Sequence, residues 1–445
     1  MVAASDAAPS ECPRPGAPSQ RLQCRQRLQR RQRLALRRPP RTGRRPSIAA
    51  RGRLLLAAAV ALGAMLLPSC GASSAGSDPS GRETAGTAGA ESAPAVPASG
   101  ASGGGAAGRP VPAPDQPGEH PVGYQTLTVT EEKRPNRPLV TSVWYPARAG
   151  AEPARYPVTD GVTLTSRRAG EGAPAAPGRF PMVVMSHGSA GSRVQLAYLA
   201  EALASHGFVV AAPDHPGDTM IEVAEGRQAP LVDLASDRLL DVSSVISAFT
   251  KPDCPIADMV RPDQVGIVGF SFGGLTSIAS TVGFLHAPAD SRIRAVVGIA
   301  PATEVIPADQ LARLRVPTIM IGGLMDGAVP LDRNARPAFG ELTGSRPRYF
   351  VTVAGGTHNS FTEICAQAAA ARGRPVAEGV RVRLEVTADM TCRPPAIDID
   401  QAHRLTVYYT VAFLESQLAG AAGYDRYLTA AAARTFPESE LHAVD

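Results

Sequence analysis

The chain has no internal repeat, which excludes a repeat architecture and leaves its 445 residues room for one to three domains. It has no apolar run of the roughly 18 residues that a helix needs to cross a bilayer. Charge is sparse, at 19% of residues, and the larger part of the chain has no basic surplus. The formal net charge is +5, but residues 1–53 hold 14 Arg against only Asp6 and Glu11. Residues 54–70 carry no charge, so residues 71–445 balance to −7. A mildly acidic body argues against a phosphate-binding surface, and no nucleic-acid partner is expected. The 43 Gly and 41 Pro lack the collagen period and point instead to loops and a disordered segment.

The first 118 residues carry the marks of export and tethering. Arg51 and Arg53 precede an uncharged run at 54–67, LLLAAAVALGAMLL. That length suits the h-region of a signal peptide. The sequence LPSCG at 67–71 then resembles a bacterial lipoprotein signal, with Cys70 as the acylated residue. Acylation by two or more chains would anchor a soluble domain to the outer face of the cell membrane. The alternative is an ordinary signal peptide cut nearby, with release of the domain. From 71 to 118, 39 of 48 residues are Ala, Gly, Ser, Pro or Thr. Such a segment cannot bury enough surface to offset its ordering entropy and is expected to be a disordered tether. The expected organisation is therefore a basic n-region and lipoprotein-type signal at 1–70, a tether at 71–118 and a catalytic domain at 119–445.

The body begins with alternating runs at 124–130 and 139–145, with the turn-rich EEKRPNRP between them, which predict an antiparallel hairpin. Residues 150–179 are rich in Gly, Pro and Ala and are expected to be irregular. Short apolar runs follow at 182–185, 208–212, 265–268, 295–299, 318–321 and 349–353. Amphipathic segments near 194–206, 231–249, 273–283, 307–313, 333–342 and 402–418 separate or follow them. Apolar strands with helical crossovers predict an α/β fold: a mostly parallel sheet with an antiparallel N-terminal hairpin and helices on both faces. Sites in such sheets lie at the carboxyl ends of the strands.

The strand at 265–268 runs into GFSFGG at 269–274, a G-x-S-x-G pattern in a strand–turn–helix context. A sharp turn would hold the Ser271 hydroxyl clear of the sheet at a helix N-terminus, while side chains at 269 or 273 would collide with neighbours. A serine needs a base. Among the eight His, His358 stands out, in GGTHNSF directly after the last strong strand. His206 reads as a helix cap. Asp326 follows the strand at 318–321 and lies between nucleophile and base, as an orienting carboxylate should. Glu304 and Asp332 are its rivals. The oxyanion donors are expected to be the N–H groups of Phe272 and of Ser189, the latter in the loop HGSAG at 187–191. His187 and the turn DHPGD at 214–218 are read as structural, and no metal site or cofactor is expected. Phe270, Phe272, Phe361 and Met325 are candidates for an apolar pocket or for core. Of the three cysteines in the body, Cys365 and Cys392 could close a loop after His358, while Cys254 is left over or is the partner of one of them. Residues 362–400 are read as a small lobe near the pocket.

These residues and the strand order resemble the α/β-hydrolase superfamily. At the level of phrases, MVVMSHGSAGSR, LAEALASHGFVVAAPDHPGDT, VGIVGFSFGG and VAGGTHNSFTEIC resemble the secreted, serine-type branch of predicted dienelactone hydrolases. That branch is similar to platelet-activating-factor acetylhydrolases and to cutinase and polyester-hydrolase-like enzymes. The resemblance covers roughly 180–362 and the helix near 402–418. Two departures matter. Dienelactone hydrolases use a Cys nucleophile, where this chain has Ser271. The loop after the strand that follows the nucleophile reads APAT at 300–303, without the acid that animal acetylhydrolases take from it. The resemblance implies a serine carboxylic-ester hydrolase acting on a small-molecule, lipid or polyester ester. The alternatives are an acyltransferase on the same triad and a non-catalytic surface lipoprotein. Membrane contact is expected only through the N-terminal lipid.

Overall fold

The structure is a computed structural model that describes residues 112–445, apart from positions 132 and 253. The basic leader, the signal with Cys70 and most of the expected tether lie outside the described residues. The boundary expected at Gly118 falls inside a packed segment. Arg404 donates to Asp115 at 2.7 Å, His206 Nε2 meets the Gln116 carbonyl at 2.9 Å, and Gly118 N–H reaches Ser205 Oγ at 3.0 Å.

Two antiparallel hairpins open the domain. β1 (Val122–Glu131) pairs with β2 (Arg134–Pro146), and β3 (Pro153–Thr159) pairs with β4 (Val162–Glu171). The first was expected, although its turn is shorter than EEKRPNRP because Arg134 already pairs with Glu131. The second corrects the expectation of irregular chain at 150–179. Ala154, Tyr156 and Val158 alternate inward, and Asp160-Gly161 makes the tight connection, with Gly161 at φ 71°.

The rest alternates: β5 (Phe180–Ser186), α1 (Ala197–Ser205), β6 (Val209–Pro213), α2 (Met220–Ala224), α3 (Leu231–Phe249), β7 (Val260–Phe270), α4 (Phe272–Val282) and β8 (Ile293–Ile299). It continues with α5 (Ala308–Leu311), β9 (Thr318–Gly323), α6 (Ala335–Glu341), β10 (Arg348–Val353), α7 (Ile364–Ala371), α8 (Glu378–Thr391), α9 (Ile399–Leu414), α10 (Ala430–Ala433) and β11 (Ser439–Val444). The eleven strands form one sheet in the order β11-β10-β9-β8-β7-β5-β6-β2-β1-β4-β3. The six from β10 to β6 run parallel, and β2 and β11 join them antiparallel.

Strand alternation divides the core between the two faces. Val183, Val268, Val297, Ile321 and Val351 face α1 and α9, while Val184, Ile267, Val296, Met320 and Phe350 face α3, α4 and α6. Helices therefore cover both faces, and a buried side chain such as Phe413 would cost about 3–5 kcal/mol on truncation to Ala. A third cluster, Val158, Val162, Met220, Ile364, Val380 and Leu384, seats α7 and α8 on the β3–β4 hairpin. That lobe is stapled by a disulfide between Cys365 and Cys392, which leaves Cys254 outside it. No helix among the described residues is long and apolar enough to cross a membrane.

Candidate active site

Four strand ends converge on one edge of the sheet. β7 ends in the turn that holds Ser271, whose φ of 57° is a conformation L residues rarely adopt. The turn is held by Ser271 N–H on the Ile299 carbonyl at 2.8 Å and by Ala302 N–H on the Ser271 carbonyl at 3.1 Å. The flanking glycines have a steric reason. A Cβ on Gly269 would lie 1.9 Å from the Gly273 carbonyl oxygen, and one on Gly273 would lie 2.0 Å from that of Ser186. Ser271 caps α4, so its hydroxyl stands in the partial positive charge of a helix N-terminus.

His358 lies in the loop after β10. Its Nε2 is 2.9 Å from Ser271 Oγ, and its Nδ1 is 2.7 Å from Asp326 Oδ2. Asp326 lies in the loop after β9 and has no exposed side-chain surface. Its other oxygen accepts the N–H groups of Ala328 at 3.0 Å and Val329 at 2.7 Å, so both carboxylate oxygens are held. The two loops are knitted by Leu324 N–H on the Val353 carbonyl and Met325 N–H on the Gly356 carbonyl, both 2.9 Å. Ser360 Oγ accepts Thr357 N–H at 3.0 Å and fixes the turn that carries His358. Ser271, His358 and Asp326 thus form one continuous hydrogen-bonded chain. The rivals lie elsewhere, with Glu304 on Arg333 and Asp332 on Arg336, both at the surface.

The loop 187–191 lies against the same turn: a Cβ on Gly188 would come within 3.3 Å of Ser271 Cβ. The N–H groups of Gly188, Ala190 and Gly191 go to Gln195 Oε1, Asp218 Oδ1 and the Gly188 carbonyl. The Ser189 N–H, between two committed N–H groups, makes no hydrogen bond among the described residues. The Phe272 N–H, first in α4, is likewise uncommitted there.

His187 and the turn after β6 make a buried scaffold beneath this loop. His187 Nε2 accepts the His215 N–H at 3.0 Å, so the proton sits on Nδ1, which donates to the Gly188 carbonyl at 2.7 Å. Burial, with the nearby Arg238 charge, pushes its pKa down to about 3. His215 is held near 4 by burial and by Arg238, and its ring joins Ser186 to Asp241. Burial opposes ionisation of Asp241, but hydrogen bonds from His215 and Arg137 hold its carboxyl well below the usual range. No group of three or more His, Cys, Asp and Glu that could hold a metal occurs among the described residues.

Of the candidate pocket residues, Phe270, Phe272 and Phe361 are core, and Met325 is exposed beside Asp326. A small cleft opens between Ala190 and Gly191, Asn359 beside His358, and Gln367, Arg383 and Thr387 of the stapled lobe. The larger cavity, about 450 Å³, lies between β1 and α3, away from Ser271. Sequence reasoning missed Arg238 and Asp241. The signal that could have found them is their place on the buried stripe of α3, with Leu234, Val242 and Val245.

A mostly parallel sheet with a strained serine turn at its carboxyl edge is the α/β-hydrolase fold, and this chain has it. Residues 160–373 match the PETase family, described as PET hydrolase-like. Cutinase 2 of Thermobifida cellulosilytica is 26% identical over 179 residues, which are 40% of this chain and 60% of that protein. Cutinase cut1 of Thermobifida fusca is 26% identical over 179 residues, 40% of this chain and 50% of that protein. The match thus spans about half to three fifths of these relatives. A ferulic acid esterase from Streptomyces cinnamoneus has the same fold, with a TM-score of 0.54 at 24% identity, over 72% of this chain and 96% of that one.

Proposed function

We propose that the chain is a serine carboxylic-ester hydrolase. The observation that carries this reading is the unbroken contact from Ser271 Oγ through the His358 ring to Asp326, at a strained turn on the sheet's carboxyl edge. In the mechanism, His358 Nε2 takes the Ser271 proton as Oγ attacks the ester carbonyl. Asp326 holds the proton on Nδ1 and stabilises the imidazolium. The N–H groups of Phe272 and Ser189 receive the negative oxygen. His358 then protonates the leaving alcohol, and water repeats the sequence on the acyl-enzyme. The likeness to cutinases and to the PET hydrolase-like family supports an ester as substrate. Asp326 as the acid, with none in the loop 300–303, sets the chain apart from acetylhydrolases, so their substrate is not carried over.

Ser271→Ala is expected to lower hydrolysis of a short p-nitrophenyl ester by at least about 10⁴-fold with an unchanged melting temperature. Near-parental activity in that variant would overturn the assignment. Transfer of the acyl group to an alcohol uses the same groups, and product analysis with competing alcohols separates the two outcomes. Export is part of the proposal, and the Cys365–Cys392 disulfide supports it because such bonds persist in oxidising compartments. Acylation at Cys70 is tested by lipid labelling of the parent against Cys70→Ala, with equal labelling as the contrary result.

A further inference from the structure

We propose that Arg238 and Asp218, acting with His187, are positioning residues that aim the Ser189 N–H at the reacting oxygen. The inference rests on the hydrolase reading above and deepens it. The loop 187–190 has no regular secondary structure, and Ala190 sits at φ 53°. Something outside the loop must therefore fix its peptide planes. The carbonyl of Gly188 and the N–H of Ser189 belong to one trans peptide unit and point in opposite directions. Three donors hold that carbonyl on the buried side: His187 Nδ1 at 2.7 Å, Gly191 N–H at 3.1 Å and Arg238 Nη2 at 3.4 Å. The Ser189 N–H is thereby turned the other way.

The planes on either side are gripped by the same ion pair. Arg238 Nη1 donates to the His187 carbonyl at 2.6 Å. Asp218 Oδ1 accepts the Ala190 N–H at 3.2 Å and the Ser189 hydroxyl at 2.9 Å. The pair itself closes at 2.5 Å between Arg238 Nη2 and Asp218 Oδ2, with neither side chain exposed. Arg238 also lies over the Phe272 ring, 4.6 Å from its centroid. One guanidinium therefore touches Phe272 and the Gly188 carbonyl, the other end of the peptide unit that carries the Ser189 N–H. A cation behind the Gly188 carbonyl polarises that peptide and strengthens the N–H at its far end.

Stability does not account for this arrangement. A buried ion pair is often matched by apolar residues of similar volume. Arg238 Nε, moreover, is buried with no hydrogen-bond partner among the described residues, which costs free energy. The turn after β6 thus has a role that a structural reading of it does not contain.

The test compares turnover with folding. Arg238→Met with Asp218→Asn removes both charges, so neither is left buried alone. Active sites are counted with a fluorophosphonate, and turnover of a p-nitrophenyl ester is expressed per titrated site. The expected result is a fall in kcat of about 100-fold with KM within about threefold. Affinity for an aryl boronic acid, whose tetrahedral adduct fills the oxyanion position, should weaken in step. A pair with only a structural role would lower the melting temperature or the titratable fraction and leave kcat per site unchanged, which overturns the proposal. Should the double variant fail to fold, Arg238→Lys keeps the charge but not the two-pronged grip, and a fall of about tenfold is expected. Parental kcat per site there is equally contrary. If Ser271→Ala kept its activity, the hydrolase reading itself would fail. A silent Ser271→Ala beside parental Arg238 and Asp218 variants would sink the positioning role alone.

Discussion

Two Ser–His–Asp chains occur among the described residues, and only one of these two reaches the surface. Ser271, His358 and Asp326 are linked at 2.9 and 2.7 Å, and Ser186, His215 and Asp241 are linked at 2.9 and 2.9 Å. Their hydrogen-bond geometry is nearly the same. Their surroundings differ. Ser271 is on a strained turn at φ 57°, and 15% of the His358 side chain is exposed. Ser186, His215 and Asp241 are wholly buried, and Ser186 is the last residue of a regular strand. Asp326 has a single side-chain partner besides backbone donors, whereas Asp241 also receives Arg134 at 2.9 Å and Arg137 at 2.8 Å. A hydrogen-bonded triad is therefore not sufficient for chemistry. Access, a presented hydroxyl and uncommitted N–H donors are required as well, and the buried triad serves as scaffold beneath the loop 187–191.

The contrast is broken most sharply at the two carboxylates. Asp326→Asn should lower kcat about 10³–10⁴-fold with little change in melting temperature. Asp241→Asn should do the reverse and cost about 3–5 kcal/mol of stability, because it leaves two arginines without their buried partner. Thermal melts beside kcat per titrated site decide between them, and equal effects at both positions would erase the distinction.

Acid should separate the two triads next. His187 and His215 have folded pKa values depressed to about 3 and 4, so the unfolded chain binds their protons first as pH falls. Their contribution is fully present above the unfolded value near 6.5 and is lost below it, up to about 2 kcal/mol per imidazole by pH 5. His403, held near 4 by burial, adds in the same direction. Melting temperature should drop from pH 7 to 5, and a flat profile would contradict these buried neutral rings.

A smaller effect of opposite sign is expected at Glu363. Burial, with the charge of Glu201, raises it to about 7. Its ionisation therefore costs stability as pH rises from about 4.5 through 7. Glu363→Gln keeps the oxygen that accepts the Tyr198 N–H at 3.1 Å, and should stabilise by up to about 3 kcal/mol at pH 8 and by less than about 1 kcal/mol at pH 5. A gain that is the same at both pH values would rule out the titration.

The sheet was legible because its six parallel strands are short apolar runs, and Ser271, Asp326 and His358 were found because each directly follows one. What stayed hidden had weak periodic signals. β3 buries Ala154 and Val158 between prolines, so its alternation reads as loop. β11 is an edge strand that buries only Ser439 and Leu441. α8 buries three residues and exposes Val382, Val386 and Met390, a pattern without a clear apolar face. Arg238 was passed over because a charge on a helix reads as solvent-facing until its partner is known. That partner, Asp218, lies 20 residues away in a turn that reads as ordinary.

The most direct test of the account is to treat the folded protein with a fluorophosphonate and locate the adduct by peptide mass spectrometry. One adduct on Ser271, none on Ser186, and none at all in Ser271→Ala is the predicted result. Labelling of Ser186, or an unlabelled Ser271 in folded protein, would contradict it.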